Sequence, residues 1–254
     1  MLCGAGFSPQ RAQRTQRICS TPNLFTVPPH KEAQERYGML PKAVIFDMDG
    51  VLVDSMPYHA DAWITVFADV GIRICREDIY DIEGSNHEGI IRLVFRKAGR
   101  NPTPEDFNVL ARKKREIFQK INKVTVFPEI YECLELLKNK CLLGVVSGSD
   151  RAVVMELLLR FFPKIFDAVV TGNDVKEGKP SPEPYLKAVG MLKIAKDECI
   201  VIENAPLGVE SAKGAGLFCI AIPTYVEAQR LKGADVVLAN HGMLKEYITK
   251  LSFD

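Results

Sequence analysis

No run of about 18 consecutive apolar residues occurs in this sequence, so no segment is predicted to span a bilayer. Charge of one sign is also missing: 33 Lys and Arg against 32 Asp and Glu leave a net charge of +1. Neither nucleic acid nor an anionic membrane surface therefore has an electrostatic claim on the chain, and no basic stripe with interleaved aromatics supplies one. The seven cysteines are odd in number, scattered, and never in a CxxC pair. That argues against both a zinc site and a disulfide framework. Several, such as Cys199 ahead of Ile200, Val201 and Ile202, sit in apolar runs as small hydrophobes. A reducing, cytoplasmic setting is the simpler expectation. The rest is an ordinary globular composition, 47% hydrophobic and 26% charged over 254 residues, enough for a core domain with a smaller companion.

Residues 1–40 stand apart. They carry Arg11, Arg14 and Arg17, no acid before Glu32, and no apolar centre of a secretory signal. Organelle transit peptides share that composition. A disordered tail, or a mis-assigned start with Met39 just ahead of the first strand, is the plainer expectation.

From Lys42 onward short apolar runs recur, each ending in a small polar cluster. Ala43 to Phe46 stops at Asp47-Met48-Asp49-Gly50, Leu142 to Val146 at Ser147-Gly148-Ser149, Ala168 to Val170 at Thr171-Gly172, and Ile200 to Ile202 at Glu203-Asn204. Phe218 to Ile222 and Val236 to Leu238 add two more. Runs apolar on both faces read as buried parallel strands. Between them Val153, Leu157, Leu158 and Phe161, and likewise Tyr185, Ala188, Val189 and Leu192, fall at helical spacing. Strands alternating with such helices predict an α/β, Rossmann-like parallel sheet that binds ligands beyond the strands' carboxyl ends. The stretch from about Pro57 to Thr125 breaks this alternation. Three helical patterns mark it, the last from Pro104 to Ile121 with Phe107, Leu110, Ala111 and Phe118 on its apolar side. The expected organisation is a core of residues 41–55 and 126–254 with an all-helical module, residues 56–125, inserted after the first strand.

Asp47 and Asp49 lie two apart in a segment leaving a strand. They would face opposite ways in regular strand, but Gly50 permits a tight turn that can bring both to one substrate. One carboxylate can then attack phosphorus and hold the phosphoryl group covalently. The other can protonate the leaving oxygen and later deprotonate water. A carboxylate attacking a phosphate dianion meets like charge, so a cation such as Mg²⁺ is expected beside it. Asp-x-Asp-Gly alone could equally be a polar turn; a calcium loop would need further alternating acids where Val51, Leu52 and Val53 stand.

The string from Ala43 through Asp47-Met-Asp49-Gly50 to Asp54-Ser55 resembles the first signature of the haloacid dehalogenase superfamily of phosphotransferases. The likeness runs from about Lys42 to the C-terminus. Ser147 in Val-Val-Ser-Gly-Ser resembles the second motif and Lys179 in Gly178-Lys-Pro-Ser-Pro the third. Glu203-Asn204 resembles the fourth. The resemblance implies Asp47 as nucleophile and Asp49 as general acid and base. Ser147, Gly148 and Ser149 would bind the phosphoryl group, with Lys179 neutralising charge. Mg²⁺ would be held by Asp47, the Asp49 carbonyl, and Glu203 with or without Asn204. Family members often carry a second acid where this chain has Asn204, whose amide oxygen can ligate but brings no charge. It could be a ligand, an orienting group behind the ligands, or neither.

The helical module resembles the family's smaller cap, which closes over the site and excludes water. The segment from Asp54 to Trp63 is similar to the β-phosphoglucomutase branch, which implies that His59 helps hold Asp49; a helix-side histidine packed near Trp63 is the plainer alternative. The loop Ile82 to Glu88 resembles that branch's substrate loop, with Gly84 allowing close backbone approach. His87 stands near where the mutases place an Arg for a distal phosphate. His is a poorer phosphate clamp than Arg, and Glu83 a poor neighbour for a second phosphate. Both features favour a phosphatase of a small phosphorylated metabolite, such as a sugar phosphate, over a mutase. Dehalogenation and phosphonate cleavage are disfavoured by the presence of Asp49. A non-catalytic phosphate-binding module predicts loss of Asp47 or Lys179, and both are present.

Overall fold

The computed structural model describes residues 41–251; the expectations for residues 1–40 lie outside them. Chain order is β1 (Ala43–Phe46), β2 (Val53–Asp54), α1 (Met56–Asp69), α2 (Arg76–Tyr80), α3 (His87–Lys97), α4 (Pro104–Ile121), β3 (Thr125–Val126), α5 (Pro128–Leu137), β4 (Leu142–Val146) and α6 (Arg151–Phe161). It continues through β5 (Ala168–Val170), α7 (Glu183–Leu192), β6 (Cys199–Glu203), α8 (Pro206–Gly214), β7 (Phe218–Ala221), β8 (Val236–Val237) and α9 (His241–Leu251).

Six strands form one parallel sheet in the order β5-β4-β1-β6-β7-β8. Every residue of β1 and β6 is buried, because helices cover both faces. Alternate side chains sort to two layers. Val44, Phe46, Val145 and Ile202 join one apolar cluster, which includes residues of α5, α6 and α9. Ala43, Ile45, Val146 and Val201 join the other with α7 and α8. Chain connectivity reverses direction on either side of β1, so its carboxyl end opens into the crevice where such sheets bind ligands.

The four helices between β2 and β3 have an apolar cluster of their own, with Trp63, Phe67, Ile91, Phe95 and Leu110 at its centre. Thr103 and Asp106 cap α4 reciprocally, which fixes its start. The chain leaves and returns side by side through an antiparallel ribbon that pairs Val53 with Val126 and Asp54 with Thr125. Strands of two residues carry no periodicity, which is why the sequence shows junctions here but no ribbon.

Candidate active site

The main-chain turn after β1 sets the site. Asp47 N–H still donates to Ile202 O at 2.9 Å, as if the strand continued, and Gly50 then turns with φ +91°. Gly50 N–H donates to Val53 O and Leu52 N–H to Met48 O, while Met48, Val51 and Leu52 are fully buried. The apolar residues around the two aspartates thus anchor the turn, and Asp47 and Asp49 line one cavity.

Lys179 lies at the centre of the charge. Its Nζ donates to Asp47 Oδ1 at 2.5 Å and to Glu203 Oε1 at 2.6 Å, with side-chain exposures of 1%, 5% and 0% for the three groups. Glu203 is filled by protein donors: Tyr185 Oη also donates to Oε1, and the Asn204 and Ala205 amides donate to Oε2. Burial weakens the Lys179 ammonium, but the facing Asp47 and Glu203 carboxylates outweigh it and hold the ammonium firmly protonated. Burial pushes the Asp47 carboxyl up against the pull of Lys179, and the negative charges of Glu203 and Asp49 add to the rise.

Asp49 accepts four hydrogen bonds. Ser55 Oγ at 2.5 Å and His59 Nε2 at 3.1 Å reach Oδ1; Ser147 Oγ and Ser149 Oγ, each at 3.0 Å, reach Oδ2. Burial alone would raise this carboxyl, but His59 and the Ser55 and Ser147 hydroxyls outweigh it and keep Asp49 well below the usual carboxylate range. Ser147 and Ser149 therefore sit at the site as expected, with their hydroxyls directed to Asp49 here.

His59 stacks on Phe118, with ring centroids 4.1 Å apart, and its Nδ1 lies 2.6 Å from Lys114 Nζ. An ammonium only donates, so Nδ1 accepts and Nε2–H is the nitrogen that faces Asp49. Burial lowers His59, with Lys114 adding to the effect against the pull of Asp49, while burial brings Lys114 down to about 8. Lys114 is a candidate site residue that sequence reading missed. Its signal was its place in the apolar stripe of α4, four residues before Phe118 and three after Ala111.

Gly84 has φ +89°, and a Cβ there would stand 2.9 Å from Lys179 Cδ. Gly148 receives the same loop: a Cβ on it would lie 2.5 Å from Gly84 O and 2.6 Å from Ser85 O. His87 lines the cavity at the start of α3, where burial lowers its ring. Further contacts join the helical insertion to the sheet. Arg115 pairs with Asp150 at 2.9 Å, Arg230 pairs with Asp81, and Tyr225 stacks on Tyr80 while donating to Asp54. The cavity between the insertion and the sheet is about 60 Å³ and is lined by residues of both. Gly148→Ala is expected to hold the 82–86 loop off the sheet and lower kcat/KM about 10²-fold, since misplacement of about an ångström costs that much. Wild-type kcat/KM in this variant would show that the close approach is not needed.

Glu83 and Asn204 form a buried pair, with Asn204 Nδ2 donating to Glu83 Oε1 at 2.9 Å. Their other oxygens, Glu83 Oε2 and Asn204 Oδ1, are buried with no hydrogen-bond partner. Burial pushes the Glu83 carboxyl well up, and the charges of Asp47, Glu203 and Asp49 add to the rise against the pull of Asn204. Among the described residues no three His, Cys, Asp or Glu side chains converge on one point. A hard cation that takes few protein oxygens and keeps several waters nevertheless suits the set, because Asn204, which packs against Gly50 of the Asp47 and Asp49 turn, has an open acceptor in Oδ1. Glu203, with both oxygens engaged, has less to offer it than Asn204. Among the described residues no helix is long and apolar enough to cross a membrane.

Comparison with known proteins agrees with this layout. The sequence profile of the haloacid dehalogenase-like hydrolases matches residues 44–222. The chain is 32% identical to the β-phosphoglucomutase of Bacillus subtilis over 204 residues, 78% of this chain and 88% of that protein. It is 32% identical over 180 residues to a phosphorylated carbohydrates phosphatase of Thermotoga maritima, 69% of this chain and 82% of that one. A solved structure, a candidate β-phosphoglucomutase from Bacteroides vulgatus, is similar with a TM-score of 0.79 at 34% identity, covering 88% of this chain and 96% of its own. The match begins inside β1 and ends just past β7, taking in the helical insertion between β2 and β3; the chain belongs to the haloacid dehalogenase-like hydrolase family.

Proposed function

We propose that this chain is a Mg²⁺-dependent phosphatase of small phosphorylated metabolites, sugar phosphates foremost, acting through a phosphoryl group carried on Asp47. The observation that carries the reading is the single buried constellation of Asp47, Lys179 and the hydrogen-bonded Asp49 at the carboxyl end of β1. The kinship with a phosphorylated carbohydrates phosphatase supports the substrate class.

Asp47 attacks phosphorus along the line of the leaving oxygen, and Lys179 neutralises the charge that gathers on the nucleophile and the phosphoryl oxygens. The Ser147 hydroxyl and the Gly148 N–H hold phosphoryl oxygens. As substrate oxygens take over the Ser147 and Ser149 hydroxyls, Asp49 loses two of its four donors and its proton affinity rises, which readies it to protonate the leaving group. It then takes a proton from the water that hydrolyses the phosphoryl-aspartate. Asp47, the Asp49 carbonyl and Asn204 would hold Mg²⁺, which would supply the positive charge that lets a carboxylate approach a phosphate dianion. The insertion, residues 56–125, serves as the cap: it brings His59 and Lys114 against Asp49 and closes the cavity to bulk water.

A mutase is the second reading, favoured by the kinship with the Bacillus subtilis enzyme. His87 and Glu83 weigh against it, since a second phosphate needs cationic clamps there. A panel of sugar phosphates, with β-glucose 1-phosphate and its bisphosphate activator included, decides between them. Net release of inorganic phosphate is the expected result; isomerised product without release would replace the phosphatase reading by the mutase one.

A further inference from the structure

We infer that Glu83, carried on the cap loop, is a ligand of the same cation site, so that the site is complete only when the cap is seated on the sheet. The inference rests on the metal-dependent reading above and assigns to the cap a role in binding the ion itself.

The first support is the pair of open oxygens. Asn204 Nδ2 must face Glu83 Oε1, because an amide nitrogen donates and a carboxylate accepts. That orientation leaves Asn204 Oδ1 as the acceptor without a donor, and Glu83 Oε2 is in the same condition. Both residues are more than nine-tenths buried, Glu83 at 3% exposure and Asn204 at 0%. Buried polar atoms in folded proteins are almost always satisfied, so two unsatisfied acceptors on one hydrogen-bonded pair mark the place of an absent donor or cation. A pair of acceptors suits a cation better than it suits an anionic substrate group.

The second support is charge. Lys179 sits between Asp47 and Glu203, leaving that trio one negative charge in excess. Asn204 adds none. A carboxylate from Glu83 adds to that excess, and a bound cation offsets it. The carboxylate lacking at position 204 is thus supplied from across the cleft.

The third support is how firmly the loop is delivered. Three glycines make room for it: Gly84 against Lys179, Gly148 against Gly84 O and Ser85 O, and Gly178, whose Cβ would fall 2.6 Å from Asn86 N. Glu83 reaches Asn204 because the backbone beside it is seated, not through a long flexible reach. Lifting the cap withdraws one ligand, so ion affinity and closure are linked, each favouring the other.

Mn²⁺ titration of the full chain tests this, with affinity read by calorimetry and cap seating by the emission of Trp63, the single tryptophan, which lines the cavity. Glu83→Gln keeps an acceptor for Asn204 and removes the charge. It is expected to weaken Mn²⁺ binding by roughly 10- to 100-fold and to suppress the Mn²⁺-induced change in Trp63 emission. Asn204→Asp, which restores a carboxylate on the sheet side, is expected to recover affinity in the double variant. Equal Mn²⁺ affinity in wild type and Glu83→Gln overturns the inference while leaving the phosphatase reading intact. A wild-type protein that binds no Mn²⁺ overturns both, and phosphate release measured in parallel tells the two failures apart. Should Glu83→Gln not fold, Glu83→Asp, which keeps the charge and shortens its reach, decides in its place: weaker Mn²⁺ binding supports the inference, and unchanged binding sinks it.

Discussion

Asp47→Asn is expected to remove phosphate release from every substrate in the panel, a fall on the order of 10⁴-fold or more, because Asp47 is the proposed carrier of the phosphoryl group. Stability should not fall with it. Asp47 shares Lys179 with Glu203, and the amide relieves a site already holding more negative than positive charge. Burial also disfavours the charged Asp47, so the amide removes a desolvation cost. Paired measurements of phosphate release and thermal unfolding check this. A variant that loses both activity and several degrees of melting temperature would make Asp47 a structural anchor. A variant that keeps activity would end the covalent mechanism.

Lys179→Met should do the reverse on stability. It leaves two buried carboxylates facing each other with no cation between them, and breaking a buried pair in this way costs about 3–5 kcal/mol. For a chain of this size that lowers the melting temperature on the order of 10 °C. Activity should fall at least about 10²–10³-fold, the usual loss when one preorganised charge is withdrawn from a developing oxyanion. Since burial already pushes the Asp47 carboxyl up and the ammonium opposes it, loss of the ammonium raises Asp47 further, and the variant should regain stability towards acid pH, where wild type does not. Unfolding curves across pH distinguish this from a simple packing loss. If Lys179→Met unfolds like wild type at every pH, the trio is not coupled as its distances indicate.

These two opposite outcomes follow from one arrangement. Asp47 is the member of the trio that faces the cavity, whereas Glu203 lies behind Lys179 and is held by Tyr185 and two backbone amides. Gly208 packs so closely on the Glu203 carboxylate that a Cβ there would lie 1.8 Å away. Glu203 therefore holds Lys179 in place, and the buried carboxylate and amide oxygens left open belong to Asn204 and Glu83.

The sheet and its polar strand ends were legible in the sequence for a physical reason. Strands buried on both faces must be apolar throughout, and the first polar residue after each run then marks where the strand leaves the core. Asp47, Ser147 and Glu203 could be read that way, and so could α4, whose apolar stripe and Thr103 start are local. Local sequence alone decided those. It could not give the contacts made across long separations. Lys114 looks like one more cation on a charged helix until the fold sets it against His59. Glu83 reads as a substrate-loop acid that would repel a second phosphate until the fold carries it onto Asn204, more than a hundred residues away. Ser147 and Ser149 were identified as site hydroxyls, but their hold on Asp49 depends on β4 lying beside β1. Which buried group pairs with which is set by tertiary packing, because a desolvated charge takes whatever partner the fold brings within about 3 Å.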